Sequence, residues 1–142
     1  MSTRRTGQTK DTGWEIGVSR TVPVPVEEVW DLLTSAAGSA LWLGAGVERL
    51  DEPGIGYETE AGTAGQVRSF RPQDRVRLTW RPVDWDHGSI VQVTVTPVPG
   101  DRTRVVFHQE RLVDAAERER QREHWQGVMD AVAAALEPGP SG

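Results

Sequence analysis

Three consecutive segments decide most of what this chain can fold into. In "RVRLTW" (75–80), "SIVQVTVTP" (89–97) and "TRVVFHQERL" (103–112) apolar residues recur at every second position. Period two is the mark of a strand with one buried face. Val76, Leu78 and Trp80 share a side, as do Val91, Val93 and Val95, and then Val105 and Phe107. Arg75, Arg77 and Arg81, with Gln92, Thr94 and Thr96, take the opposite side. The linkers "VDWDHG" and "PVPGDR" are short and turn-forming, so neighbouring strands run antiparallel. A sheet of this kind has an apolar face that another element must cover.

The covering element is legible at the C-terminal end. Asp114 followed by Glu117 reads as a capping-box start with Asp in the Ser/Thr position. Trp125, Val128, Met129, Val132 and Leu136 then form one stripe at helical spacing. The first half of this helix, "AAERERQREH", is charged nearly all round. Arg118, Arg120 and Arg122, interleaved with Glu117, Glu119 and Glu123, read as a solvated face with i, i+3 pairs, or as a docking surface for a partner. Pro138 and Pro140 prevent the helix from continuing.

Upstream, "WEIGVSR" (14–20) alternates as a strand. "PVPVEEVWDLLT" then shifts to helical spacing, with Val26, Val29, Trp30 and Leu33 on one face, Pro25 in the first turn and Gly38 as the expected stop. "SALWLGAG" (39–46) packs Leu41, Trp42 and Leu43 between glycines; residues 39–43 are expected to make a short helical turn or two. "GVERL", "GYETE" and "GQVRSF" read as strands, which brings the number expected between 46 and 112 to six. Residues 1–12 and 137–142 are unpatterned and are expected to be disordered tails around a single domain at 13–136.

Composition narrows the function. There is no Cys, which removes disulfides and thiolate ligands. A net charge of −5 argues against nucleic acid, where affinity rests on Lys and Arg neutralising phosphates. No apolar run approaches a membrane span, and the N-terminal segment has no apolar signal core, so a cytoplasmic protein is expected. The three His are scattered, and "DWDH" reads as turn chemistry rather than a metal site. No metal or cofactor is expected. Glu58 and Glu60 share a strand face that is expected to be solvated, although an inward face would suit acid–base work. His108 falls on the outer side of its strand, so Gln109 is the inward polar group and needs partners, from a ligand or a water.

The order of elements resembles the helix-grip fold of the START/Bet v 1-like (SRPBCC) superfamily. "VSRTVPVPVEEVWDLLT", "ALWLG", "GQVRSFRPQDRVRLTWRP", "WDHGSIVQVTVTP" and "TRVVFHQERLVDAAERERQREHW" are similar to its activator of heat shock protein 90 ATPase homologue-like branch, over about residues 14 to 136. The resemblance implies an α+β fold: a curved antiparallel sheet wrapped around a long C-terminal helix, with two short helices between the first and second strands. It also implies a cavity between sheet and helix, with "SALWLGAG" capping its mouth. The branch often carries His where Gln109 stands, which weakens a proton-transfer role there. The resemblance implies that the activators work with a second, N-terminal chaperone-binding domain, which is not expected within these 142 residues.

The expected function is binding of a small hydrophobic molecule, with no catalytic set, in a pocket lined by Trp30, Trp42, Leu43, Trp80, Val93, Phe107, Gln109, Trp125 and Met129. The alternatives are a chaperone-associated stress-response protein acting through the charged part of the last helix, and an enzyme of the polyketide cyclase or aromatase kind using Gln109, Glu58 or Glu60.

Overall fold

The computed structural model describes residues 8–9 and 13–137. Seven strands and three helices follow one another: β1 (Gln8–Thr9), β2 (Gly13–Val22), α1 (Val26–Thr34), α2 (Ala36–Trp42), β3 (Gly56–Glu58), β4 (Ala64–Arg71), β5 (Arg75–Trp80), β6 (Ser89–Val98), β7 (Arg102–Leu112) and α3 (Ala115–Leu136). The strands form one antiparallel sheet in the order β1-β2-β7-β6-β5-β4-β3. The meander β3 to β7 is sequential, and β2 closes against β7, so the first long strand and the last are neighbours. The sheet curves around α3, as the resemblance implied.

The alternation sets the packing. Val76, Leu78 and Trp80 on β5, Val91, Val93 and Val95 on β6, and Val105 and Phe107 on β7 are all buried. Register places Val76 opposite Val93 and Val93 opposite Phe107, so these side chains form continuous rows on the inner face. α3 lies on that face through Trp125, Val128, Met129, Val132 and Leu136, the stripe read from spacing. Burial of such side chains contributes about 1.5–3 kcal/mol each and is the main source of stability.

Four local expectations differ from the structure. "GVERL" is not a strand. Its buried residues, Val47 and Leu50, are three apart rather than two, so one side of an extended chain cannot bury both; the segment is irregular. Gly38 does not end α1. The helix stops at Thr34, where Ser35 turns extended; the Ser35 hydroxyl donates to the Leu32 carbonyl (2.7 Å) and accepts from the Gly38 N–H (3.0 Å), capping both helices. Gly38 sits inside α2 because a Cβ there would stand 1.6 Å from the Leu32 carbonyl oxygen. Pro25 is the N-cap rather than a first-turn residue. Finally, Gln8 and Thr9 fall in the expected N-terminal tail, yet they pair with Trp14 and Gly13 as a short edge strand. The two short helices therefore lie between β2 and β3. The rest of 1–12, and 138–142, lie outside the described residues.

Candidate functional site

The nine residues expected to line a pocket are brought together by six elements: Trp30 by α1, Trp42 and its C-cap neighbour Leu43 by α2, Trp80 by β5, Val93 by β6, Phe107 and Gln109 by β7, and Trp125 and Met129 by α3. All nine are buried. Phe107 stacks on Trp125 with ring centroids 5.3 Å apart and meets Trp42 at 6.0 Å. Trp125 in turn lies 5.9 Å from Trp80. Trp30 joins the same core, but its ring meets Phe70 at 5.4 Å.

Gln109 is inward, as parity required, and its partners come from the protein. Its amide nitrogen donates to Ser89 Oγ (2.9 Å), and its oxygen accepts from Trp125 Nε1 (2.8 Å). Ser89 Oγ donates onward to the Trp80 carbonyl (2.7 Å). This chain of hydrogen bonds pins α3 to β7, β6 and β5 through the core. Every group in it is neutral at ordinary pH, so it fixes geometry and does not move protons. Glu58 and Glu60 are exposed on their strand and the loop beyond it, where they cannot act inside the core.

Among the described residues three buried side-chain polar atoms lack a partner, Arg75 Nε, Trp80 Nε1 and Gln121 Oε1, and of these Trp80 belongs to the aromatic core. Trp80 Nε1 is buried and makes no hydrogen bond. The loop between β5 and β6 covers this end of the core. Trp85 meets Trp80 edge-on at 5.3 Å, and His87 stacks on Trp85 at 4.6 Å. His87 Nε2 reaches Glu117 Oε1 (2.8 Å) and its Nδ1 reaches Asp86 (3.0 Å). Burial of the ring opposes its charge, but the hydrogen bonds and charges of Asp86 and Glu117 outweigh burial and raise the His87 pKa. Glu117 was expected on a solvated face. It is instead 5 % exposed, because its carboxylate also accepts from the Val113 N–H (3.1 Å), while its own N–H donates to Asp114 (2.8 Å). Arg118 is likewise half-buried, its Nε donating to the Glu15 carbonyl (2.7 Å). His124 lies against Trp80 and Trp125; desolvation there lowers its pKa, although the residue as a whole stays exposed.

A groove of about 290 Å³ runs between β2 and α3, lined by Val18, Ser19 and Arg20 on one side and Gln126, Met129 and Asp130 on the other. Arg20 and Asp130 form an ion pair across it. No described helix is long and apolar enough to cross a membrane. Among the described residues no three His, Asp or Glu side chains cluster as a metal site would need.

A curved antiparallel sheet closed on one long C-terminal helix, with two short helices at its end and an aromatic interior, defines a START/Bet v 1-like, helix-grip domain. Residues 23–137 match the family described as "Activator of Hsp90 ATPase homolog 1-like protein", and the chain belongs to that family. No curated protein sequence matches it. Similar solved structures include protein MLL2253 from Mesorhizobium loti (19 % identity, 89 % of this chain and 99 % of that one, TM-score 0.72). Protein CV1439 from Chromobacterium violaceum is similar at 24 % identity over 87 % and 97 % of the two chains, with a TM-score of 0.74. PFC0360w, an HSP90 activator from Plasmodium falciparum, is 18 % identical over 87 % and 96 %, with a TM-score of 0.74. At these identities the likeness is one of fold.

Proposed function

We propose that this protein binds a small, mostly apolar molecule carrying one hydrogen-bond acceptor, held between α3 and the inner face of the sheet at the Trp80 end. The observation that carries the reading is the Trp80 indole N–H. It is buried beside Trp85, His124 and Trp125 with no acceptor, and leaving a buried donor unsatisfied costs about 1–3 kcal/mol. A carbonyl or hydroxyl oxygen on a ligand removes that cost, and the surrounding rings supply the apolar wall. Gln109, the inward polar group expected from sequence to need partners, already has them within the protein and shapes the wall instead. The loop bearing Trp85 and His87 is the element to move on uptake, since among the described residues one hydrogen bond, from His87 to Glu117, ties its tip to α3.

Native mass spectrometry of freshly purified protein, beside the denatured mass, tests this directly. A dissociable extra mass is expected, and it should be lost or reduced in Trp80→Phe, which keeps a ring and removes the donor. A clean apo mass in the parent protein counts against the reading.

The family description, and the HSP90 activator among the similar structures, favour a second reading, a chaperone partner. With Glu117 buried and Arg118 turned to Glu15, the surface left for such a contact on the first half of α3 is Glu119, Arg120, Arg122 and Glu123. Reversing the charge of Arg120 and Arg122 should weaken chaperone binding under this reading and leave ligand mass unchanged.

A further inference from the structure

The outer face of the sheet carries a feature that the interior reading does not use. A cleft of about 460 Å³ lies across four consecutive strands, lined by Arg68, Thr79, Gly88, Ser89, Ile90 and Arg111. Register explains the grouping. Thr79 is opposite Ile90, and Ile90 is opposite Glu110, next to Arg111. Arg68 stands at the irregularity between Val67 and Ser69 on β4. The floor is therefore a Thr and an Ile, both half-buried, with a guanidinium-bearing residue on either side.

The charge on this floor is uncompensated. Arg77, Arg20, Arg49 and Arg118 all have carboxylate partners. The guanidinium groups of Arg68 and Arg111 make no hydrogen bond or ion pair among the described residues, as is also true of Arg71, Arg120 and Arg122; what sets Arg68 and Arg111 apart is that they line one cleft. The carboxylate nearest in register, Glu110, is taken by Arg77. Two free guanidinium groups facing one cleft are the less expected in a chain of net charge −5.

The backbone adds a separate observation. Arg111 has φ +69°, in the left-handed region that Gly or Asn occupies with least strain. A long cationic side chain held there is strained, and such strain concentrates at binding and catalytic positions. Nothing in the local packing asks for Gly88 at the rim either: a Cβ there would have no atom within 4 Å, so the rim stands open.

We infer that this cleft binds a small organic oxyanion, a carboxylate or phosphate with a compact apolar body, its oxygens held by Arg68 and Arg111 and its body over Ile90. Planar guanidinium forks match carboxylate and phosphate oxygens in pairs. The volume falls within the roughly 300–1,000 Å³ of small-molecule sites and exceeds what a bare inorganic ion fills.

Phenyl phosphate and inorganic phosphate are the probes, titrated into the folded protein with amide shifts of Gly88, Ser89 and Ile90 as the readout. Saturable shifts are expected with phenyl phosphate, about tenfold tighter than with phosphate and weakening as salt rises. Arg68→Gln and Arg111→Gly should each lose about tenfold in affinity. Arg71→Gln, on the same face but outside the cleft, should bind as the parent does. Arg111→Gly should melt no lower than the parent, since it relieves the left-handed strain; that separates lost binding from lost fold. An absence of saturable shifts overturns the site. So does equal loss in Arg71→Gln, which would mean diffuse attraction. Phosphate binding as tightly as phenyl phosphate removes the apolar body from the proposal and overturns it as stated.

Discussion

Trp125 donates its indole N–H to the side-chain oxygen of Gln109 at 2.8 Å, and both residues are at most 1 % exposed. This bond joins the long helix to the centre of the sheet at Gln109, the one buried side-chain amide among the described residues. Removing either partner strands the other in an apolar interior. Gln109→Leu should cost about 1–3 kcal/mol in denaturant unfolding, and Trp125→Phe a similar amount beyond its lost volume. The double variant should cost less than the sum, because no polar atom of the pair is then left alone. Strict additivity would show that the two residues do not interact.

Gly38→Ala should be among the most damaging single-methyl changes in the chain. The added Cβ would meet the Leu32 carbonyl oxygen at 1.6 Å, and that atom is backbone, so neither side can yield by rotating. α2 must then move away from α1 and lift Trp42 off Phe107. A loss of about 2–4 kcal/mol is expected from thermal or denaturant melts. Gly54→Ala is the contrasting control. No atom lies within 4 Å of its Cβ, so only the strain of φ +93° acts.

His87 should make stability depend on pH. Burial lowers its pKa, but the hydrogen bonds and charges of Asp86 and Glu117 outweigh it, so the folded-state value lies above the ordinary one. A folded chain that holds the proton more tightly than the unfolded chain is stabilised by protonation. That stabilisation is complete below the unfolded value, near 6.5, and is lost as pH rises through the folded value. Desolvation of the ring opposes the two carboxylates, so the loss from acidic to alkaline conditions should be modest. Urea melts of the parent and of His87→Gln across that range test it. Parallel pH profiles for the two would mean that the contact to Glu117 carries no net charge attraction.

How much of this was legible in the sequence depends on whether a residue's partner is close in the chain. Parity along β5, β6 and β7 gave the inner rows and turned Gln109 inward, because a strand fixes the direction of each side chain locally. That Trp125 and Ser89 satisfy Gln109 was not legible, since those bonds join separate elements 16 and 20 residues away. Glu117 was misread for the same reason. Its neighbours at i+2 and i+6 suggest a solvated stripe, while the His87 that buries it lies 30 residues back, in a loop. "GVERL" reads as a strand but is irregular, because its buried residues Val47 and Leu50 are three apart, a spacing that one face of a strand cannot bury. Gln8 and Thr9 pair at the sheet edge, and neither residue is apolar, so there was no apolar pattern to read.

The segment "SALWLGAG" poses the last test, whether it is a fixed corner or a gate. Trp42 is 1 % exposed, and its Nε1 donates to the Leu33 carbonyl (2.9 Å), one of the acceptors that the end of α1 leaves open. Its ring rests on Phe107, which is itself stacked on Trp125. Gly44 and Gly46 follow at φ +116° and +104°, and Cβ atoms there would press on Thr59 and Glu60 at 3.1–3.2 Å, so both glycines are held by neighbours rather than free to hinge. A corner packed in this way should lose about 3–5 kcal/mol in Trp42→Ala. Trp42→Phe retains the ring contact, leaves the Leu33 carbonyl without its donor, and should lose about 1–3 kcal/mol. Hydrogen exchange gives the independent measure. Amides of α2 should open only with the global unfolding of the domain. Exchange of 39–43 through a cheaper local opening, with Trp42→Ala costing little, would instead make this segment the moving part of the fold.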